Sequence, residues 1–594
     1  MGTFFWPTNS TPERTSHALR AVGAQPSPLN YDAWKYYLQP HPDQVFVSNF
    51  LRTIKEGTCI GYRGPRTTFL QPRRTRDDNE RNIILQEYLA ERDAGRMCGP
   101  FTDPPTGGPF TFVRESPTFC IDKPGSSEKR RIDHLSYPPN NSVNSHIDKD
   151  DFPVNFANYD SVKDLLCNAD PRQRGSKWDI RHAFRNQLIN PSDWPLLVSY
   201  CDGYWFSPYM TFGGSSFPGI FERPSKATEW IIEYWTDVLI RAILDDFLGL
   251  HSLPDDFDDM DAHVAREWRD VYQILLNLGW PIHPRKLVVN VSELVFIGVL
   301  WNIADQTMGL PPDKQDKYQL AVAGLLDASN NVTTIPTMRS ILGKLVFTAS
   351  IVPVGRSRLY HLFKCLRGAE SAARRIYGQR KRYPGKFNLV FLTQAALDDV
   401  RWWLAVLDNP PVQRLILREH DVYDPRYIVT TDACNDGIGG YWYGSYFSVP
   451  LSYEGTLKHI TFKELLALLF ATLLWGTSWS GSCILWRTDC EAHVRGLFKI
   501  RTQAPELLPL HDMLDLLAYN NHFIFSSTHL PGVENGLADK LSRHDCSEAI
   551  HLKMQRCRTI TNLPPNVSCW LQLNDFTILS RNPLSNSIEQ ELSN

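Results

Sequence analysis

The stretch 241–250 constrains this chain more than any other. It reads Arg-Ala-Ile-Leu-Asp-Asp-Phe-Leu-Gly-Leu, two apolar runs of strand length interrupted by the adjacent acids Asp245 and Asp246. The pattern predicts a β-hairpin with carboxylates at its tip. Asp-Asp is also ordinary turn chemistry, because the Asp side chain bonds its own backbone and tolerates turn angles. Upstream, Asp179 interrupts a second apolar segment, Ser176-Lys-Trp-Asp-Ile-Arg-His-Ala-Phe184. If both segments lie in one sheet, three carboxylates converge, and like charges at that range repel unless cations sit among them. A pair of Mg²⁺ ions about 3.5–4 Å apart is the common arrangement for phosphoryl transfer.

A second set of acids follows the same rule. Tyr427-Ile-Val-Thr-Thr-Asp432 is an apolar strand ending in an acid, with a glycine-rich turn expected at Asn435-Asp-Gly-Ile-Gly-Gly440. Thr461-Phe-Lys-Glu464 opens an apolar helix that runs to Trp475, Ile484-Leu-Trp-Arg-Thr-Asp489 is another strand ending in an acid, and Asn535-Gly-Leu-Ala-Asp539 starts a short helix. Each acid has a local structural use: Thr461 and Glu464 form a capping-box pattern, Asp489 could cap the helix after it, and Asp539 could favour a helix dipole.

Length and composition bound these readings. A chain of 594 residues holds several domains of ordinary size. Hydrophobic content of 42% with charged content of 21% is that of a globular protein. The longest apolar run, around Leu465 to Trp475, is short of the roughly 20 residues a membrane span needs, so no membrane partner is expected. The 12 cysteines include no Cys-x-x-Cys pair, which predicts reduced thiols and an intracellular setting, cytoplasm or nucleus. A net charge of −3 does not by itself suit a nucleic-acid enzyme, but cations cluster at Arg63 to Arg76, at Lys129-Arg-Arg131 and at Arg374 to Lys386. Together they suggest a template track; singly, each is an ordinary solvated face.

Taken together, these residues resemble the reverse transcriptase–RNase H polyprotein of retroelements, nearest to the DIRS-like (tyrosine-recombinase) group. An acid followed five positions later by an aromatic is matched by Asp179 and Phe184. The family's Pro-Phe-Gly-Leu-x-Ser-Ala-Pro is matched by Thr211-Phe-Gly-Gly-Ser-Ser-Phe-Pro218, and its Tyr-x-Asp-Asp by Ile243-Leu-Asp-Asp246, with isoleucine where the family has tyrosine. Leu278-Gly-Trp-Pro-Ile-His-Pro-Arg-Lys286, Phe296-Ile-Gly-Val-Leu-Trp301 and Thr528-His-Leu-Pro-Gly-Val-Glu-Asn-Gly-Leu-Ala-Asp-Lys-Leu-Ser-Arg543 extend the match over residues 105 to 545.

The resemblance implies an α+β right-hand polymerase followed by an RNase H-like α/β domain with a mixed five-stranded sheet. Its expected parts are a partly disordered N-terminal extension (1–104), fingers and palm (105–305), a helical thumb and connection (306–425), the RNase H-like domain (426–545) and a weakly ordered tail (546–594). It implies an RNA-directed DNA polymerase that uses Asp179, Asp245 and Asp246, with Asp179 and Asp245 as direct metal ligands. RNase H activity would use Asp432, Glu464, Asp489 and Asp539, all four binding metal. Each site would take two Mg²⁺, with Mn²⁺ as an alternative.

For the nucleotide, the resemblance implies that Arg130, aligned on Leu135-Ser136 with Arg131 beside it, grips the triphosphate. In this alignment the family's Asp before Leu-Ser is His134 here, with Asp133 one place earlier. Phe184 would block a ribose 2′-hydroxyl, Phe212 and Gly213 would line the pocket, and Lys286 would stand near the leaving pyrophosphate. Implied partners are an RNA template, a DNA primer, the RNA–DNA hybrid and deoxynucleoside triphosphates. Related elements also encode a recombinase, for which there is no room after Arg543, so it would come from another chain. The competing readings are a retroelement-derived nucleic-acid-binding protein without catalysis and a DNA-templated repair polymerase.

Overall fold

The computed structural model describes residues 11–73, 76–122, 129–254, 259–327, 331–352, 355–378, 388–408, 413–414, 424–496, 505–561 and 563–579. The Pro124-Gly125 turn, most of the acidic loop at 255–258 and residues 379–387 of the third basic cluster lie outside them. The fold is mixed α+β, in two compact units: Met1–Val162 with Arg172–Leu294, and Lys163–Pro171 with Val295–Asn594.

In the first unit a four-stranded antiparallel sheet orders its strands Leu239–Ile243, Asp246–Leu250, Gly175–Asp179, Val288–Val291. Alternation places Trp178, Phe247, Ala242 and Ile240 on one buried face, where Trp178 and Phe247 stack at 5.5 Å. The expected hairpin is present, with a two-residue turn of Leu244 and Asp245. Leu244 has φ 55, the geometry of a II′ hairpin turn, in which the first central residue is left-handed. A hydroxyl holds this uncommon conformation: Ser225 Oγ donates to the Leu244 carbonyl at 2.5 Å. Ser225 belongs to the helix Phe217–Trp235, which packs on the hairpin, while the helix Met260–Leu278 packs on Val288–Val291 and on that helix. The helix Phe217–Trp235 ends where it does because Thr236 turns extended and Leu239 enters the sheet.

The segment before Tyr31, expected to be loose, is docked. Thr11 caps the helix Pro12–Val22, whose Leu19 is buried. Asn30 N–H donates to the Leu278 carbonyl at 3.1 Å, and a methyl at Gly279 would overlap the Pro28 carbonyl. Trp34, in the helix Tyr31–Tyr37, is fully buried between Phe50 and Trp280, and its indole donates to Leu278 O at 3.0 Å. Isolated apolar residues in a polar stretch escape periodicity arguments, yet each fills a hole in the core. Trp34→Ala should therefore cost about 3–5 kcal/mol of stability, read by chemical denaturation. An effect under about 1 kcal/mol, within the range of an ordinary surface change, would show the N-terminal segment to be an appendage.

Strands Thr118–Asp122 and Lys129–Asp133 pair antiparallel and pack on the helix Asp78–Asp93. Residues 110–113 form no strand, and Phe110 and Val113 are buried in irregular backbone.

The second unit begins with short strands and four longer helices, Pro312–Ala323, Ile335–Ile351, Tyr360–Tyr377 and Gln394–Asp408, in the region expected to be helical. A sheet then orders Ile524–His529, Cys483–Thr488, Ile428–Ala433, Gly437–Trp442, Ser445–Pro450 and Gln555–Arg556. The three central neighbours pair antiparallel and the flanking pairs parallel. It has six strands rather than the expected five, because the tail adds one. The tail also delivers Ile560, Val567 and Leu571 to the core, and Trp570 meets Phe462 edge-on at 4.9 Å.

The helix Ile460–Trp475 runs through this core with nearly every residue buried. With its extension to Trp479 it is long and apolar enough to cross a membrane, contrary to the sequence estimate, but 78% of the window is buried inside the protein. The expected glycine-rich turn is a strand, Gly437–Trp442, paired on both edges.

Candidate active sites

The first group of acids sits where the hairpin meets the neighbouring strand. Asp179 ends one strand, Asp246 begins the next, and the two are cross-strand partners. Asp245 is the hairpin-turn residue just before Asp246, its carbonyl accepting Ile180 N–H at 2.8 Å. Burial pushes the Asp245 carboxyl up to about 6, with Asp179 and Asp246 adding repulsion. Asp246 is also raised by burial, against the pull of Lys177. Two lysines hold part of this charge: Lys177 Nζ lies 3.2 Å from Asp246 and Lys286 Nζ lies 2.5 Å from Asp179. Lys286 was expected near a leaving group; here it pairs with an acid across the turn Pro284–Lys286, its side chain 55% exposed. Lys177 was not singled out. Its signal was the two-residue spacing from Asp179, which places both on one sheet face.

Beside these acids lies an aromatic cluster. Phe184, in the short turn Ala183–Asn186, is buried and meets Phe212 at 5.5 Å and Phe221 at 5.4 Å. The two candidate arginines separate cleanly. Arg131 is buried and held by Glu87 at 3.1 Å and Asp133 at 2.9 Å, so its fork is satisfied by protein carboxylates. Arg130 is exposed with its guanidinium 4.8 Å from the Phe212 ring. Gly213 was expected to be bare for a substrate's approach. Its φ of 128 and the Asp133 carbonyl, which a methyl would overlap, require glycine already in the protein alone.

The basic run 63–76 is tied down by protein groups. Arg63 pairs with Asp151 at 2.5 Å, Arg66 with Asp193 at 2.7 Å and Arg73 with Glu115 at 2.6 Å, and Arg76 donates to Tyr200 O at 2.8 Å. These four arginines fasten the loop to the unit.

The second group is tighter. Carboxylate oxygens of Asp432, Glu464 and Asp489 lie within 4.8 Å of one another. Asp432 and Glu464 are each 4% exposed, while Asp489 is open to solvent. Asp432 is pushed up to about 6, chiefly by burial, and Glu464 well above the usual carboxylate range by burial and then by Asp432 and Asp489. Glu464 is no capping residue: His459 occupies the helix N-cap and accepts Thr461 N–H. Glu464 Oε1 accepts Ala433 N–H at 3.1 Å, while Oε2 is buried without a partner. Asp539 stands outside this trio, its carboxylate 2.8 Å from Arg543 one helical turn on. Sequence reasoning missed Asn535 and Ser542, whose side chains donate to Asp432 Oδ1 at 3.0 Å and Oδ2 at 2.8 Å. Their signal was proximity to Asp539.

An all-oxygen set with an orphaned buried carboxylate oxygen fits a hard divalent cation. Without one, Asp432 and Glu464 favour the protonated form in the folded state. The contribution of Asp432 to stability is then fully present below the ordinary carboxylate pKa of about 4 and is lost as pH rises through about 6, and Glu464, raised as well, acts in the same direction. Mg²⁺ should therefore raise the thermal unfolding midpoint more at about pH 7.5 than at about pH 5, measured by calorimetry against a chelated sample. Equal shifts at both pH values would argue against cation binding here.

No protein family matches the sequence, and no curated protein does. Among solved structures the chain is similar to a foamy viral protease-reverse transcriptase in complex with double-stranded DNA, at 15% identity and TM-score 0.45, covering 89% of this chain and 84% of that one. It is similar also to a foamy viral protease-reverse transcriptase in complex with an RNA/DNA hybrid, at 13% identity and TM-score 0.44, covering 90% of this chain and 65% of that one.

Proposed function

We propose that this chain is an RNA-directed DNA polymerase with a fused RNase H, encoded by a retroelement of the DIRS-like group. The observation that carries the reading is the presence of two groups of crowded acids, Asp179–Asp245–Asp246 at a hairpin tip and the neighbouring strand end in one unit, and Asp432–Glu464–Asp489, with Glu464 supplied by a helix, in the other. Two self-repelling carboxylate groups, each crowded at the end of a sheet, suit two phosphoryl-transfer centres. In this reading the sheet bearing Asp179 is the palm, the Thr118–Asp133 hairpin belongs to the fingers, and the helices of residues 312–408 form thumb and connection. Divalent metal, Mg²⁺ or Mn²⁺, would stabilise the attacking and leaving oxygens at each centre.

The residues' own parts follow. Asp179 and Asp245 hold the cations and Asp246 is neutralised by Lys177. Arg130, exposed above Phe212, binds the triphosphate as a planar fork. Phe184 closes the space where a ribose 2′-hydroxyl would lie. In the second unit Asp432, Glu464 and Asp489 form the core of the site, and Asp539 completes it on leaving Arg543. RNA template, DNA primer, hybrid and deoxynucleoside triphosphates are the proposed partners, with any recombinase supplied by another chain.

The test is primer extension on an RNA template with and without Mg²⁺, followed by cleavage of a labelled hybrid. Metal-dependent DNA synthesis supports the reading. A folded chain that binds hybrid but does neither reaction would favour the non-catalytic alternative, which draws on Ile243 and on the two lysines already pairing with the acids.

A further inference from the structure

The glycines of the strand Gly437–Trp442 and the short helix Gly536–Ser542 explain each other. A methyl on Gly437 would overlap the Ser542 carbonyl, and one on Gly439 would overlap Ser542 N and Leu541 C. The helix end therefore lies directly on bare backbone, closer than any side chain would permit. Leu541 and Ser542 are fully buried there, and Cys434 Sγ contacts the Ser542 carbonyl at 3.2 Å. Seated in this way, the helix reaches Asp432 from both of its ends. Asn535, just before it, donates to Oδ1, and Ser542, its last residue, donates to Oδ2. Both donors are at least 98% buried, so water cannot replace either bond.

We propose that this helix is a positioning clamp for Asp432, with Asn535 and Ser542 fixing the carboxylate's plane for a divalent cation and Gly437 and Gly439 as the seat that lets them reach. The proposal rests on the reading of the Asp432 cluster as a metal centre. Neither residue touches the cation; each acts through Asp432. With both oxygens already accepting one bond, the carboxylate has one orientation and the cation meets lone pairs that need no reorganisation. The same helix carries Asp539, so the clamp also fixes where the fourth acid starts from.

The test uses the full chain and Mn²⁺ as the probe, with bound metal followed by electron paramagnetic resonance. The Mn²⁺ lost in Asp432→Asn defines the share held by this cluster. Ser542→Ala should weaken that share about tenfold, with a matching rise in the Mg²⁺ needed for half-maximal hybrid cleavage and no change in DNA synthesis. Gly439→Ala, which displaces the helix end, should shift Mn²⁺ affinity in the same direction. A merely structural role for Ser542 would lower the unfolding temperature while leaving the Mn²⁺ affinity of the folded protein unchanged, and that result overturns the clamp even if Gly439→Ala fails to fold. If Asp432→Asn removes no Mn²⁺, the metal-centre reading itself fails and the clamp with it.

Discussion

Asp245→Asn is expected to lower DNA synthesis by roughly 10³-fold or more, about 4 kcal/mol of barrier, while leaving the protein folded. The side chain lies in the hairpin turn, is pushed up to about 6 by burial and by its two acidic neighbours, and supports the fold only through its backbone. Removing its charge removes repulsion, so the metal-free variant should unfold at the same temperature or higher. Primer extension on RNA beside a thermal melt reads both halves. Full synthesis by the variant would sink the polymerase assignment; a large fall in melting temperature would mean that the residue serves the turn.

Asp432→Asn should remove hybrid-dependent RNA cleavage by a similar factor, roughly 10³-fold, with DNA synthesis within about twofold of the unchanged chain, because the two acid groups lie in different units. The amide also puts an N–H where Asp432 now accepts; Ser542 Oγ can accept it while donating to the Asp539 carbonyl 2.8 Å away, and Asn535 keeps the remaining oxygen as acceptor. Glu464→Gln separates charge from shape. It prevents a buried carboxyl from ionising while Oε1 can still accept Ala433 N–H, so it should abolish cleavage and yet stabilise the metal-free protein at alkaline pH, where Glu464 would otherwise be forced to ionise. Loss of both activities from Asp432→Asn would instead indicate one shared site or a folding failure.

The hairpin at 241–250 was legible because two apolar runs bracketing Asp-Asp leave little else for so short a segment to do. Asp432 and Asp489 were legible for a similar reason, since an apolar strand ending in an acid announces itself locally. The capping-box reading of Thr461 and Glu464 failed because His459 competes for the same helix end, a contest that spacing does not resolve. The glycines at 437–440 were read as a turn because glycine is the default turn residue, whereas a helix more than ninety residues downstream needs their missing side chains.

By itself, then, the sequence determined which acids stand at the ends of strands and helices, in what order, and that two such groups exist. Those are local facts, set by alternation and by the preferences of a few neighbouring residues. Only the tertiary structure decided that Asp432, Glu464 and Asp489 crowd together, that Lys177 and Lys286 sit on the first group, that Trp34 closes the first core, and that the tail supplies a sixth strand. These depend on which surfaces meet after the chain has closed long loops, and burial and charge at such meetings belong to no single stretch of sequence.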